Sequence, residues 1–278
     1  MKNIRKFAAI LTSRLVLIGF VVVSAFPIYW MFNTSLALDS ELFGTGQDFL
    51  PHLERAGDVP QKLEDVGIFG LLANSAFIAT GVTVLSFILA VMAAYGLSRF
   101  KFHGKGISGF VLFSTQMMPE ALLVVPLFAL FATFGLLNSL TGLVLANTAF
   151  SMPVAVFIIK TAIDKIPYEI EESARVDGCS PAGQLGMIVV PLVLPSLAAA
   201  AVINFFDGWN EFLFANTFIR QQELWPASVG LAQFMGQYST PLSTVMAAAL
   251  LFTLPAIVFF LLVQRQIVSG LTAGAVKG

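Results

Sequence analysis

Residues 169–195 read EIEESARVDGCSPAGQLGMIVVPLVLP, and every other segment of the chain takes its meaning from them. The stretch is polar, punctuated by Gly and Pro, and lies between two long apolar runs. Pro167 is a suitable helix start. Residues 168–177 then follow a helical period, with Glu169, Glu171 and Glu172 in the first turns, where the helix dipole favours anions. Gly178 is a natural stop, because a left-handed C-terminal residue costs glycine little. Ser180 and Pro181 supply the cap and first residue of a second helix. Leu185, Ile188 and Val189 face one side of that helix, and Pro191 and Pro195 end it or bend it into the next apolar run. The expectation is a helix–turn–helix with a short charged helix projecting. Anchoring does not explain it, since interfacial anchors set Lys and Arg against lipid headgroups and this one leads with acids.

The flanking sequence has a membrane composition. Of 278 residues, 57% are hydrophobic, 11% are charged and 27 are Phe. About 20 apolar residues cross a hydrocarbon core of ~30 Å at ~1.5 Å each. Runs of that kind lie near 15–36, 69–98, 107–137, 140–163, 194–219 and 242–263. The third is too long for one straight crossing, and Met118-Pro119-Glu120 predicts a kink or break there. The first resembles a secretory signal in place only. It is too long, and bulky Phe26-Pro27-Ile28-Tyr29-Trp30 stands where a cleavage site would need small residues, so it is read as a retained helix. The alternating strands of an outer-membrane barrel are absent.

Near the span ends, 12 Lys and Arg fall on one side, and only Arg55, Lys62 and Arg220 fall on the other. The positive-inside rule then makes both termini and segment 169–195 cytoplasmic. The expected architecture is all-α and polytopic, with six transmembrane helices. Residues 1–68 form a cytoplasmic tail, first span and acidic outer loop. Residues 69–264 form a membrane core carrying the loop 164–195, and 265–278 form a cytoplasmic tail.

The net charge of −1 says nothing about a nucleic-acid partner, and no basic block is long enough to suggest one, so none is expected. Cys179, the single cysteine, rules out an intramolecular disulfide and has no metal-ligand spacing. His52 and His103 have no companions at such spacing either. Gly104-Lys105-Gly106 lacks the upstream Gly and following Ser or Thr of a nucleotide loop.

Three acids, Glu120, Asp207 and Glu211, fall inside spans, where ionisable groups are costly and face a cavity or a partner. Asn204, Asp207 and Glu211 are spaced i, i+3, i+7, with Trp209 and Asn210 beside them. Carboxylates and amides can exchange hydrogen bonds with a polar solute, and aromatic faces can stack on its apolar ones. The stripe therefore lines a solute path, or else its acids tie neighbouring helices together. Glu120 joins that path or simply caps a helix broken at Pro119.

Glu172-Ser173-Ala174, three residues, Gly178, nine residues, then Ile188-Val189-Val190-Pro191 resemble the cytoplasmic EAA loop of ABC importer membrane subunits. That pattern is E-A-A-x3-G-x9-I-x-L-P, with Ser173 here for Ala and Val190 for Leu. FFDGWNE at 205–211 and the tail GLTAGAVKG at 270–278 resemble the second membrane subunit of carbohydrate importers of the maltose type. The resemblance covers essentially the whole chain and implies a type I importer permease fold.

The resemblance further implies that Glu172, Ser173, Ala174, Asp177, Gly178, Ile188 and Pro191 form the contact with a separate ATPase. The implied partners are a second permease subunit, two copies of a cytoplasmic ATPase, an extracytoplasmic solute-binding protein and a sugar. ATP and Mg would be bound by the ATPase, leaving no cofactor and no catalytic residue in this chain. Residues 272–278 would be a second ATPase contact or a disordered end. An ion-coupled carrier using Glu120, Asp207 and Glu211 is the alternative, but it predicts an inverted repeat that the sequence does not show. An intramembrane enzyme would need a nucleophile–base or metal set at membrane depth. The acidic stripe, with no basic residue at its depth, argues against an anionic solute.

Overall fold

The computed structural model describes residues 2–45, 48–236 and 240–275, and every element among them is helical. In chain order the α-helices are α1 (Lys2–Ser35), α2 (Val59–Asp65), α3 (Ile68–Arg99), α4 (Lys105–Ser114) and α5 (Glu120–Thr133). They continue as α6 (Leu140–Ile163), α7 (Tyr168–Val176), α8 (Pro181–Leu192), α9 (Leu194–Trp209), α10 (Leu213–Phe218), α11 (Ala227–Gly236) and α12 (Leu242–Ala275). Four helices are long and apolar enough to cross a membrane, or up to six if each of two sharply bent helix pairs is one span. Of the tail expected to meet a partner, 276–278 lie outside the described residues.

The chain divides into two compact units. The first comprises Met1–Ile68 and Leu231–Leu254. In it, α1 exposes apolar side chains all round, including Phe20, Val21, Val22 and Val23, as a helix solvated by lipid does. The chain then folds back on the end of α1. The Asn33 amide donates to the Asp48 carbonyl at 2.6 Å, the Tyr29 hydroxyl donates to the Phe49 carbonyl, and Phe49 packs edge-on against Trp30. Arg55 grips both oxygens of Glu41 at 2.7 and 2.8 Å. The Asp39 carboxylate accepts the first backbone N–H groups of α12, from Leu242 at 3.2 Å and Ser243 at 3.5 Å. These donors have no partner inside a helix, so the loop after α1 caps a helix that begins about two hundred residues later.

The second unit, Phe69–Gly230 with Pro255–Gly278, is built on α3 and α6. Near their starts, Ile78 and Val82 share a core with Leu143 and Val144. Midway, the Ser86 and Ser151 hydroxyls lie 3.1 Å apart. Near their ends, Ala90–Leu97 pack with Ala155–Ile163, and Ser98 donates to Asp164 at 2.6 Å. The two helices therefore run in the same direction. Two parallel helices need an odd number of crossings between them, so α4 and α5 together make one broken span and not a re-entrant loop. Their axes meet at 106°. Of the kink or break expected at Met118-Pro119-Glu120, the chain takes the break. Pro119, with ψ of 125°, is extended and starts α5 afresh.

The α9–α10 run is antiparallel to α6, since Leu197 and Ala200 of α9 meet the end of α6 while the Phe214 ring of α10 meets Phe150 nearer its start, at 5.3 Å. Gly208 permits a close approach to α3: a Cβ there would lie 2.8 Å from the Ala79 Cα. The crossing expected as one helix over 194–219 is broken at 210–212, where Asn210 and Phe212 leave helical geometry. Pro181–Leu192 meets this run at 82°.

Candidate solute cavity and projecting loop

Two helix breaks of the second unit, α4–α5 and α9–α10, open onto one cavity of about 600 Å³. Irregular backbone at membrane depth is tolerated where it lines a cavity. Gln116 and Glu120 reach it from either side of the α4–α5 break, and Asp207, Asn210 and Glu211 from the α9–α10 break. Helix α6 contributes Asn147, Phe150, Ser151 and Val154 at positions i, i+3, i+4 and i+7 of one face. Phe206 and Phe212 add aromatic surface. The lining thus offers carboxylates, amides and rings, and holds no Lys or Arg.

Four of the six residues expected on a solute path, Glu120, Asp207, Asn210 and Glu211, come together here. Asn204 and Trp209 are not in the lining. Both are buried, at 1% and 2% exposed, and Trp209 stacks on Phe205 at 5.8 Å and 11°. Of the i, i+3, i+7 stripe, buried Asn204 drops out, and because the helix stops at Trp209, Glu211 is placed by the break and not by helical period. Glu211 also does what the tying alternative required. Its carboxylate accepts from the N–H of Phe214 at 2.6 Å and of Ala215 at 3.2 Å, capping α10, and the Asn147 side chain hydrogen-bonds it. Ser228 donates its hydroxyl to the Glu211 carbonyl, fixing the break from α11. Glu120 stands in the first turn of α5, where the dipole favours an acid, and still faces the cavity. Sequence reasoning overlooked Gln116, Asn147 and Ser151. Asn147 and Ser151 carried a usable signal, as polar residues four apart on a mainly apolar span.

The loop after α6 lies at the other end of α6 from the cavity's amide. Helix α7 ends where Gly178 adopts φ of +84°, and its N–H returns to the Arg175 carbonyl at 3.0 Å. The Ser180 hydroxyl accepts from the Gly183 N–H at 3.2 Å with Pro181 in the first turn, as expected. Gln184–Val189 then form a π-helical segment. Glu172, Ser173, Asp177, Gly178 and Pro191 are exposed, while Ala174 and Ile188 are half-buried. Glu171 is the exception in this acidic helix. It is fully buried and takes hydrogen bonds from Arg99 Nε at 2.6 Å and the Tyr95 hydroxyl at 3.0 Å. Arg99 Nη2 also donates to the Ile163 and Ile166 carbonyls at 3.0 and 2.9 Å. Burial pushes the neighbouring Asp164 carboxyl up, but hydrogen bonds from Lys160 and Ser98 outweigh it and hold the group below its ordinary value.

Residues 86–272 match the family described as binding-protein-dependent transport system inner membrane component. The chain belongs to that family. As such a component it is a multi-pass inner-membrane protein, and the family is one of transport permeases. It is 32% identical to the trehalose/maltose transport system permease protein MalG of Thermococcus litoralis, covering 92% of this chain and 93% of that one. It is 36% identical to the trehalose transport system permease protein SugB of Mycobacterium tuberculosis, over 74% and 76%. It is 32% identical to the sulfoquinovosyl glycerol transport system permease protein SmoH of Agrobacterium fabrum, over 91% and 89%. A chain of a bacterial ABC transporter that imports the acidic polysaccharide alginate superposes with a TM-score of 0.76, covering 94% of this inner-membrane component and 96% of that chain. At 24% identity that is a likeness of fold.

Proposed function

We infer that this chain is a permease subunit of a binding-protein-dependent sugar importer, and that its cavity carries a neutral sugar. The observation behind the reading is the cavity lining, in which carboxylates, amides and Phe rings converge with no cation to hold an anionic solute. Among the relatives, those named for trehalose and maltose transport fit a neutral glycoside, whereas the one named for sulfoquinovosyl glycerol, a sulfonate, is named for an anion. In this reading a second permease subunit completes the path, and a binding protein outside the membrane delivers the sugar.

The exposed face Glu172, Ser173, Asp177 and Gly178, with Ala174, Ile188 and Pro191, is proposed to dock on one of two ATPase subunits, which bind ATP and Mg. This chain then carries no catalytic residue. The docking face and both termini lie in the cytoplasm. ATP-driven closure of the ATPase pair moves α7 and α8 as a lever and opens the cavity alternately to either side. An ion-coupled carrier would use Glu120, Asp207 and Glu211 as a relay. The three do share a cavity, but Glu211 is engaged in capping α10.

The test is uptake of radiolabelled trehalose and maltose by vesicles holding the assembled importer with its binding protein. Accumulation is expected only with internal ATP. A chain that purifies without an ATPase and moves sugar in its absence overturns the reading.

A further inference from the structure

We propose that Arg99 is a positioning residue for transport, the joint that fastens the ATPase-facing lever to the helix lining the solute cavity. The proposal rests on the lever reading of α7 and α8 given above. Arg99 is the last residue of α3, and its guanidinium is only 11% exposed. Its donors are divided among three elements. Nε bonds Glu171 on α7, and Nη2 bonds the Ile163 carbonyl, which ends α6, and the Ile166 carbonyl in the linker before Pro167. Its guanidinium carbon also lies 5.9 Å from the centre of the Tyr168 ring, whose other neighbour is Arg175 at 5.7 Å. Tyr95, one turn earlier on α3, donates to the remaining Glu171 oxygen. A carboxylate with no exposed surface, inside a helix that otherwise shows its acids to solvent, has no part in recognising a partner. It fixes the root of that helix.

The placement has a mechanical consequence. Without such a joint, α7 would be held only by the linker 164–167 and by its turn into α8, whose Val189 packs on the ends of α3 and α6, and a push on Gly178 would bend the linker before it moved α6. With the joint, α7, α3 and the end of α6 shift as one body. Along α6, the cavity residues Asn147–Val154 lie roughly 14 to 24 Å from Ile163 at 1.5 Å per residue, so a tilt imposed at the lever is delivered to Asn147 and Ser151 directly. Arginine is required for geometric reasons. A planar fork can serve a carboxylate and two carbonyls together, whereas a lysine ammonium is a point donor on a flexible stem.

The test uses the assembled importer in vesicles and reads sugar imported per ATP hydrolysed, for Arg99→Lys, Arg99→Gln, Glu171→Gln and the Arg99→Gln/Glu171→Gln pair. Each variant is expected to keep ATP hydrolysis while import per ATP falls, about tenfold for Arg99→Gln and less for Arg99→Lys. The pair should be no worse than Arg99→Gln, because both remove one joint. A second readout needs no turnover. Spin labels at Val176→Cys on the lever and Phe157→Cys on α6, in a Cys179→Ser background, should give one narrow distance distribution that Arg99→Gln broadens. Loss of import strictly in proportion to the amount of assembled complex, with import per ATP unchanged, makes Arg99 merely structural and overturns the proposal. So does a distance distribution that Arg99→Gln leaves narrow. If instead bulky substitutions at Gly178 leave import coupled while Arg99→Gln broadens the distribution, the lever reading falls and the joint survives as geometry alone.

Discussion

Glu41 and Glu211 show how one residue type acquires different duties. Glu41 lies on the loop after α1, where the hydrogen bonds from Arg55, aided by the Leu38 N–H, hold its carboxyl at about 2 against an ordinary 4.5. A folded value below the unfolded one adds stability that is complete above about pH 4.5 and is lost as pH falls toward about 2. Thermal unfolding followed from about pH 6 to about pH 3 should show a steeper loss for the wild type than for Arg55→Gln, which has already lost the pair. Glu211 is buried and caps α10, so Glu211→Ala leaves two buried N–H groups without an acceptor. We expect it to lower stability by about 1–2 kcal/mol, measured as a fall in melting temperature in detergent, with Glu211→Gln losing less because its amide oxygen still accepts. The acids in the spans were legible in the sequence, since a carboxylate at that depth demands a reason. Their division of labour was not, because capping depends on where a helix stops. Nor does anything in EIEES separate buried Glu171 from exposed Glu172; the difference comes from Tyr95 and Arg99, more than seventy residues earlier.

Among elements, two glycines act differently. Gly208 is a matter of space, because Gly208→Ala sets a methyl 2.8 Å from the Ala79 Cα and forces α9 away from α3. We expect a loss of about 1–3 kcal/mol, seen by thermal unfolding of the purified subunit complex. Gly178 is a matter of backbone, since its φ of +84° suits few side chains while a Cβ there would meet nothing. Gly178→Val should therefore leave the membrane core's melting temperature within about 1–2 °C and uncouple ATP hydrolysis from import, whereas Gly178→Asn, which tolerates a left-handed backbone, should retain more coupling. The helix–turn–helix of 168–192 was legible because its signals are local: Pro167, Gly178, Ser180 and Pro181 each act on adjacent backbone. The break at 210–212 was not, because the Glu211 and Ser228 side chains that hold it come together only in the fold.

At the scale of the molecule, apolar run lengths prefigured the spans, and the parallel course of α3 and α6 turns the α4–α5 interruption into one crossing. The cavity was half legible. Its acids stand out in the sequence, but Gln116 and Asn147 join them only because two broken helices and α6 converge. That lining predicts selectivity. Replacing Asp207→Asn together with Glu120→Gln should raise uptake of an anionic glycoside by roughly tenfold, about 1.4 kcal/mol, relative to trehalose, as measured by competition in vesicles. An unchanged ratio would show that discrimination lies in the binding protein alone.

The double engagement of Glu211 bears on how this permease can change its diet. A side chain that closes a helix and faces the cavity cannot be altered for taste without loosening the wall it belongs to. Asp207 and Gln116 line the same space from exposed positions, with no helix end depending on their side chains. Drift toward new sugars, in nature or in a selection experiment, should therefore run through those two positions first, with Glu211 among the last to vary.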